Sequence, residues 1–256
     1  MELPPQDLGW FADNLADVIQ EIATARSSRD GVILQTEAPA ELLDKIVPAL
    51  VDALKTVNID NNNNISELHN IPSRSINVSE LCDYGLGILG ELAQLATDLK
   101  QRDQVERIEQ LAVSLTLWTL QRQGSLRSIE LVVNGLARLA NHTAEHSSLV
   151  YLFHVMSDVM LALSRSSVGT GPEKSTGIST DARKILLLNR AIVATRALSP
   201  DLMDIAFADV ANELPESAPQ FFAEGMQQID IQNYPPEVSR VIERFHRDWP
   251  ETRVFH

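Results

Sequence analysis

Apolar residues recur along this chain at steps of three and four, and almost nowhere at steps of two. Trp10, Phe11, Leu15, Val18 and Ile22 make one such stripe, and Val105, Ile108, Leu111, Leu115 and Trp118 make another. Steps of three and four return to the same side of an α-helix, so each set lies on one face. The only run with β character, Gly31-Val-Ile-Leu-Gln35, has no second strand to pair with, and a lone strand cannot form a sheet. The sequence therefore predicts an all-α chain of nine or ten helices, arranged as antiparallel helical hairpins stacked into an α-α superhelix or a multi-helix bundle. With 256 residues, 44% of them apolar, it has material for a large core. The expectation is a single all-helical domain over 1–256, with a sub-boundary in the loop 57–75 and a mobile loop at 164–180, both rich in polar turn-forming residues.

Helix boundaries are signalled in several places. Asn77 followed by Glu80 has the form of a capping box and opens a helix expected to run to about Lys100. Ser199-Pro200-Asp201 places a capping hydroxyl, a first-turn proline and an acid at the positive end of another. Pro215, Pro219 and Pro235-Pro236 divide the final third into short helices, the last carrying Val238, Ile242 and Phe245. A weak internal echo accompanies these signals. Leu92-Ala-Gln-Leu95-Ala96 returns as Leu136-Ala-Arg-Leu139-Ala140, an offset of 44 that also sets Ile108 on Leu152, Leu111 on Val155 and Leu115 on Val159. A third approximate copy around Ala191–Thr195 needs the Gly-rich stretch 169–177 as an insertion. Such a period fits helical-hairpin repeats, but Leu/Ala-rich helices also match one another by composition alone, and no repeat family's signature residues are present.

The charge excludes whole classes of function. Lys and Arg number 21 against 35 Asp and Glu, a net of −14 with a pI near 4.8. A nucleic-acid binder must replace phosphate counterions with basic side chains, and an anionic membrane surface repels this much acid, so neither is expected as a partner. The start Met1-Glu-Leu-Pro-Pro-Gln-Asp7 has neither basic residues nor an apolar stretch, which points to the cytoplasm rather than secretion. The most apolar window, Leu149 to Leu163, is shorter than the ~20 residues of a bilayer-spanning helix. It reads as a core helix. A single cysteine, Cys82, excludes a disulfide framework and, beside Leu81 and Leu86, reads as a small core residue.

Of the local chemical patterns, His142-Thr-Ala-Glu145-His146 is the most specific, since it has the H-x-x-E-H form of the inverted zinc-protease motif. On one helix, His142 and His146 four residues apart would hold zinc or another divalent metal, while Glu145 served as the general base on metal-bound water. The enzymes that use this motif supply a further acidic ligand from a mixed α/β domain, and no strands are predicted here. Helix capping by Asn141 or Thr143, with Glu145 near the positive helix end, explains the same residues without a metal. Continuing in steps of four, His154 and Asp158 follow on the same ridge, set among Leu152, Phe153, Val155 and Met156, where they are expected as a hydrogen-bonded core pair or as additional metal ligands. His69 could join them from the first long loop. Gly169-Thr-Gly171 to Thr176 lacks the glycines of a phosphate loop, and Asp60, Asn62 and Asn64 lack the glycine and the closing glutamate of a calcium loop.

Aromatic residues collect late in the chain, seven of the thirteen lying after residue 200. The final segment interleaves Arg240, Arg244 and Arg247 with Phe245, Trp249 and Phe255, making the one basic, aromatic stretch of an acidic chain. It is the candidate binding surface for another protein or a second copy of this chain. On these grounds the expected function is a non-enzymatic helical scaffold for protein–protein interaction, without cofactor. The alternative is a metal-dependent helical-bundle enzyme, hydrolase-like, built on His142, Glu145 and His146.

Overall fold

The computed structural model describes residues 3–27, 45, 48–54, 77–167 and 180–250. Among them there are nine helices, a shorter helical segment at 48–54, and no strand. In chain order the helices are α1 (Leu8–Ser27), α2 (Val78–Asp98), α3 (Arg102–Gln121), α4 (Glu130–His142), α5 (His146–Ser167), α6 (Thr180–Arg196), α7 (Pro200–Glu213), α8 (Ala218–Gln232) and α9 (Pro236–Asp248). The fold is all-α, with helices packed on their neighbours as the periodicity predicts. The strand-like run at 31–35, His69, the loop 57–75, the calcium-like and phosphate-like stretches and Phe255 lie outside the described residues. Of the stretch 164–180 expected as a loop, residues 164–167 are helical as the end of α5 and Thr180 opens α6, and the remainder lies outside the described residues.

The described residues group into two compact units, one drawn from Leu3–Gly135 and Val159–Ser179, the other from Leu136–Asp158 and Thr180–His256. In the amino-terminal unit, α2 and α3 form a tightly packed antiparallel pair, and α1 lies against α3. The inner stripe of α1 (Phe11, Leu15, Val18, Ile22) and that of α3 (Ile108, Leu111, Leu115, Trp118) are buried, as their spacing requires. At the edge of this interface, Arg107 of α3 reaches Asp17 at 3.5 Å and Glu21 at 3.3 Å. The buried Gln104 also donates to Glu21. The α3–α4 crossing depends on Gly135, where a Cβ would stand 2.8 Å from the Glu109 carbonyl oxygen and 2.7 Å from a Val113 methyl.

Boundary chemistry is partly as the sequence indicates. Asn77 caps α2, accepting from the amide of Ser79 at 3.0 Å. α7 begins at Pro200, but Ser199 makes no side-chain cap, so the proline rather than the hydroxyl defines that start. Asp7 caps α1 through the Trp10 amide at 2.7 Å. α2 and α6 end in the same way. The amide of Lys100 donates to Thr97 O and that of Gln101 to Ala96 O; correspondingly, Leu198 donates to Thr195 O and Ser199 to Ala194 O. Both are Schellman turns, and Lys100 (φ 55°) and Leu198 (φ 50°) occupy the left-handed position where glycine is usual. The offset of 44 aligns helix ends as well as residues, setting Asp98 on His142 and Arg102 on His146.

α5 is the one helix among the described residues that is long and apolar enough to cross a membrane, with mean hydropathy 1.4 over His146–Arg165. Its 22 residues overrule the length argument made from the shorter window. Burial decides its role here. Leu149, Leu152, Phe153, Val155, Met156, Val159, Ala162 and Leu163 are buried along one side, while His154, Asp158 and Arg165 face out, the pattern of a core helix.

Candidate functional site: an apolar cleft in the carboxy-terminal unit

In the carboxy-terminal unit α6 and α7 pack as an antiparallel pair, α8 packs on α9, and α9 also rests on α7. α6 is held to its neighbours by Arg190, whose side chain is only 6% exposed. Its guanidinium donates to Asp209 of α7 at 2.7 Å and to the Ser157 hydroxyl of α5 at 2.8 Å, and lies 4.3 Å above the Phe153 ring. A buried cation is tolerable only when paired and hydrogen-bonded in this way. It fixes the rotation of α6 about its axis. Leu186, Leu187, Ala191 and Ala194 then point inward, and Ile185, Leu188 and Ile192 point out.

Between α6, the start of α5 and the α8–α9 pair lies a cleft of ≈ 720 Å³. Its floor is made by Phe207, Phe221 and Phe222. These rings, with Phe245 behind them, stack edge-on or tilted with centroids 5.3 to 5.7 Å apart. One wall is the outer face of α6 with Leu188 and Ile192; Leu198 closes it at the turn into α7. The opposite rim, from α8 and the turn after it, carries Gln228, Asn233 and Tyr234. A cleft of this size and character, mostly apolar with a few polar groups, is the usual form of a binding site.

Two polar groups matter most. Arg196 donates to Ala140 O at 2.5 Å and to Thr143 O at 2.6 Å, satisfying carbonyls at the end of α4. Those carbonyls are neutral. Among the described residues no carboxylate pairs with Arg196, and a guanidinium has five N–H donors, so donors remain over. Tyr234 is half-buried in the same cleft, and burial pushes its hydroxyl pKa up while the nearby charge of Arg196 pulls it down. Its hydroxyl stays protonated at neutral pH and makes no hydrogen bond among the described residues.

The motif residues do not come together. His142 is the last residue of α4 and His146 the first of α5, with Thr143, Ala144 and Glu145 between the helices, so the two imidazoles never share a helical face. The Nδ1–H of His142 donates to Arg138 O at 2.8 Å. Thr143 donates back to Leu139 O at 2.7 Å, ending α4 rather than capping α5. Glu145 accepts from the hydroxyls of Ser147 at 2.5 Å and Ser148 at 2.9 Å, and those two bonds, Ser147 first, hold its carboxyl below the ordinary range. A general base needs the opposite shift. His154 and Asp158 are exposed on the outer face of α5, a correction to the buried pair expected from their apolar neighbours. Among the described residues no three His, Cys, Asp or Glu side chains gather as a metal centre requires.

The carboxy-terminal residues divide between core and surface. Phe245 joins the aromatic cluster, and Val238, Val241 and Ile242 are buried beside it. Arg240, Arg244 and Arg247 are exposed: Arg240 donates to Pro236 O at 3.1 Å, Arg244 pairs with Asp204, and Arg247 lies 3.6 Å from Asp248. Trp249 is half-exposed just after α9. No sequence pattern marks Arg196 or Leu198 as cleft residues, whereas Tyr234 belongs, with Phe207, Phe221 and Phe222, to the late-chain aromatic group that the sequence singles out. Comparison with protein-family models, with curated proteins and with solved structures finds no match.

Proposed function

We propose that this chain is a non-enzymatic helical scaffold that binds another protein, and that an apolar helix of that partner lies in the cleft of the carboxy-terminal unit. One observation carries this reading. α6 is apolar on both faces: Ile185 and Ile192 are 45% and 44% exposed, with the half-buried Leu188 between them, while the opposite face is buried. A helix apolar on both sides is one that is covered on both sides. The spacing of Ile185, Leu188 and Ile192 spans two helical turns, the register that helix-in-groove recognition uses, and it runs into an aromatic floor.

Leu198 supports the same reading. A left-handed backbone costs a leucine roughly 1 kcal/mol that glycine would avoid, and its side chain is a wall of the cleft. A second copy of this chain is the weaker candidate partner, because each copy carries −14.

The test is selection of displayed helical peptides on the full chain, their stripe positions apolar and the rest random. A recurring family is expected, weakened at least about tenfold by Leu198→Gly, a change the backbone accepts without strain. No recurring family, or one indifferent to both Leu198→Gly and Phe221→Ala, would overturn the reading.

A further inference from the structure

Resting on that reading, we infer that the occupant of the cleft is an amphipathic helix, basic overall, that brings one carboxylate to Arg196 and Tyr234. Two features of the charge distribution, on different length scales, lead to it.

At long range the chain is strongly acidic, and a field of that sign draws in cationic partners and repels anionic ones. At short range the cleft has the reverse preference. Arg196 stands in its wall with carbonyls as its only described partners. A guanidinium satisfied by carbonyls keeps its full charge. In the same cleft the half-buried Tyr234 hydroxyl, a phenol that is protonated at neutral pH and so able to donate, makes no hydrogen bond among the described residues. A cation with donors left over and an unused hydroxyl, converging on an otherwise apolar surface, match one carboxylate better than any neutral group.

The geometry also says which carboxylate. Leu188, Ile192 and Arg196 follow one another at steps of four on α6, so a helix laid along this face that buries apolar side chains against the first two reaches Arg196 about one turn further on. An Asp or Glu of the partner helix meets it there. Glu224, exposed on the opposite rim, accepts a hydrogen bond from Gln220 at 2.9 Å and offers a contact for the partner's basic face.

The peptide selection on the full chain decides between these elements. Winners are expected to be net positive and yet to carry Asp or Glu at one fixed place relative to the apolar stripe, an enrichment that long-range attraction alone would oppose. A synthetic winner should bind about tenfold more tightly than its twin with Gln in place of that acid. Arg196→Gln should abolish the difference. Since Arg196 also closes the end of α4, Tyr234→Phe serves as the second variant: it removes one donor and no internal hydrogen bond, and should reduce the preference several-fold with binding of the Gln twin unchanged. Winners that need Leu198 but tolerate Gln at every position would overturn this inference and leave the scaffold reading standing. Decanoate binding in the cleft with no peptide family selected would overturn both.

Discussion

Cys82 shows how far burial alone can silence a reactive group. None of its surface is exposed, and burial pushes its thiol up to about 12 from 9.0, the contact with Thr119 opposing and the charge of Asp83 reinforcing the shift. The thiolate is the nucleophile, so the native chain should resist thiol reagents at pH 8, reacting at least about a hundredfold more slowly than the chain in urea. Linkage gives the sign of the pH effect. The unfolded thiol loses its proton near 9 and the folded one only near 12, so the folded state binds more protons between them. Stability from this group is complete below pH 9 and declines as pH rises toward 12. Cys82→Ala should flatten that decline in urea titrations between pH 9 and 10.5, and rapid labelling of the native thiol would show the site to be open. Leu198 is the converse case, a residue with a left-handed backbone, φ 50°, whose side chain lines the cleft.

At the scale of helices, close approach and open space make opposite demands on two glycines. Gly135 lets α4 meet the backbone of α3, and the Glu109 carbonyl that a Cβ would strike cannot swing aside as a side chain could. Gly135→Ala should therefore destabilise by about 2 kcal/mol, read from the urea midpoint. Gly87, exposed within α2, has nothing within 4 Å of its would-be Cβ, so Gly87→Ala should stabilise by roughly 0.5–1 kcal/mol. Equal effects would mean that the α3–α4 crossing adjusts freely. Helices of this kind were largely legible in the sequence. The stripes of α1 and α3, the Asn77 cap and the Pro200 and Pro236 starts all follow from local rules that need no knowledge of the partner helix. What periodicity cannot show is rotation about the axis. Nearly every residue around His154 and Asp158 is apolar, so sequence alone could not say which sliver of α5 faces water. The break at 143–145 was equally hidden, because residues that match a metal motif at helical spacing are also good terminators, and here Thr143 and Glu145 end one helix and begin the next. The cleft depends on side chains from α5, α6, α7 and α8 meeting in space, and no run of sequence records that.

For the molecule as a whole, the imbalance of 35 acids over 21 bases sets two electrostatic effects against each other. Salt screens the repulsion among excess carboxylates, which favours the folded state, and it also screens ion pairs, which opposes folding. Magnitudes decide the sign. The pairs formed by Arg107 with Asp17 and Glu21, Arg127 with Asp83, and Arg244 with Asp204 all have a well-exposed partner, and exposed pairs contribute between nothing and about 1 kcal/mol each. The best-buried pair, Arg190 with Asp209, is screened least because its guanidinium is almost wholly buried. Repulsion is therefore the larger salt-sensitive quantity, and raising NaCl from about 20 to 200 mM should raise Tm by about 2–4 °C, the shift that about 1 kcal/mol gives at this chain length. The same screening should weaken a basic partner helix at long range, chiefly by slowing its association. A carboxylate seated on Arg196 at short range in an apolar cleft should keep more of its contribution. Folding and the proposed binding should thus respond to salt in opposite directions, and a Tm that fell with added NaCl would show that the exposed arginine pairs hold the fold more strongly than their exposure allows.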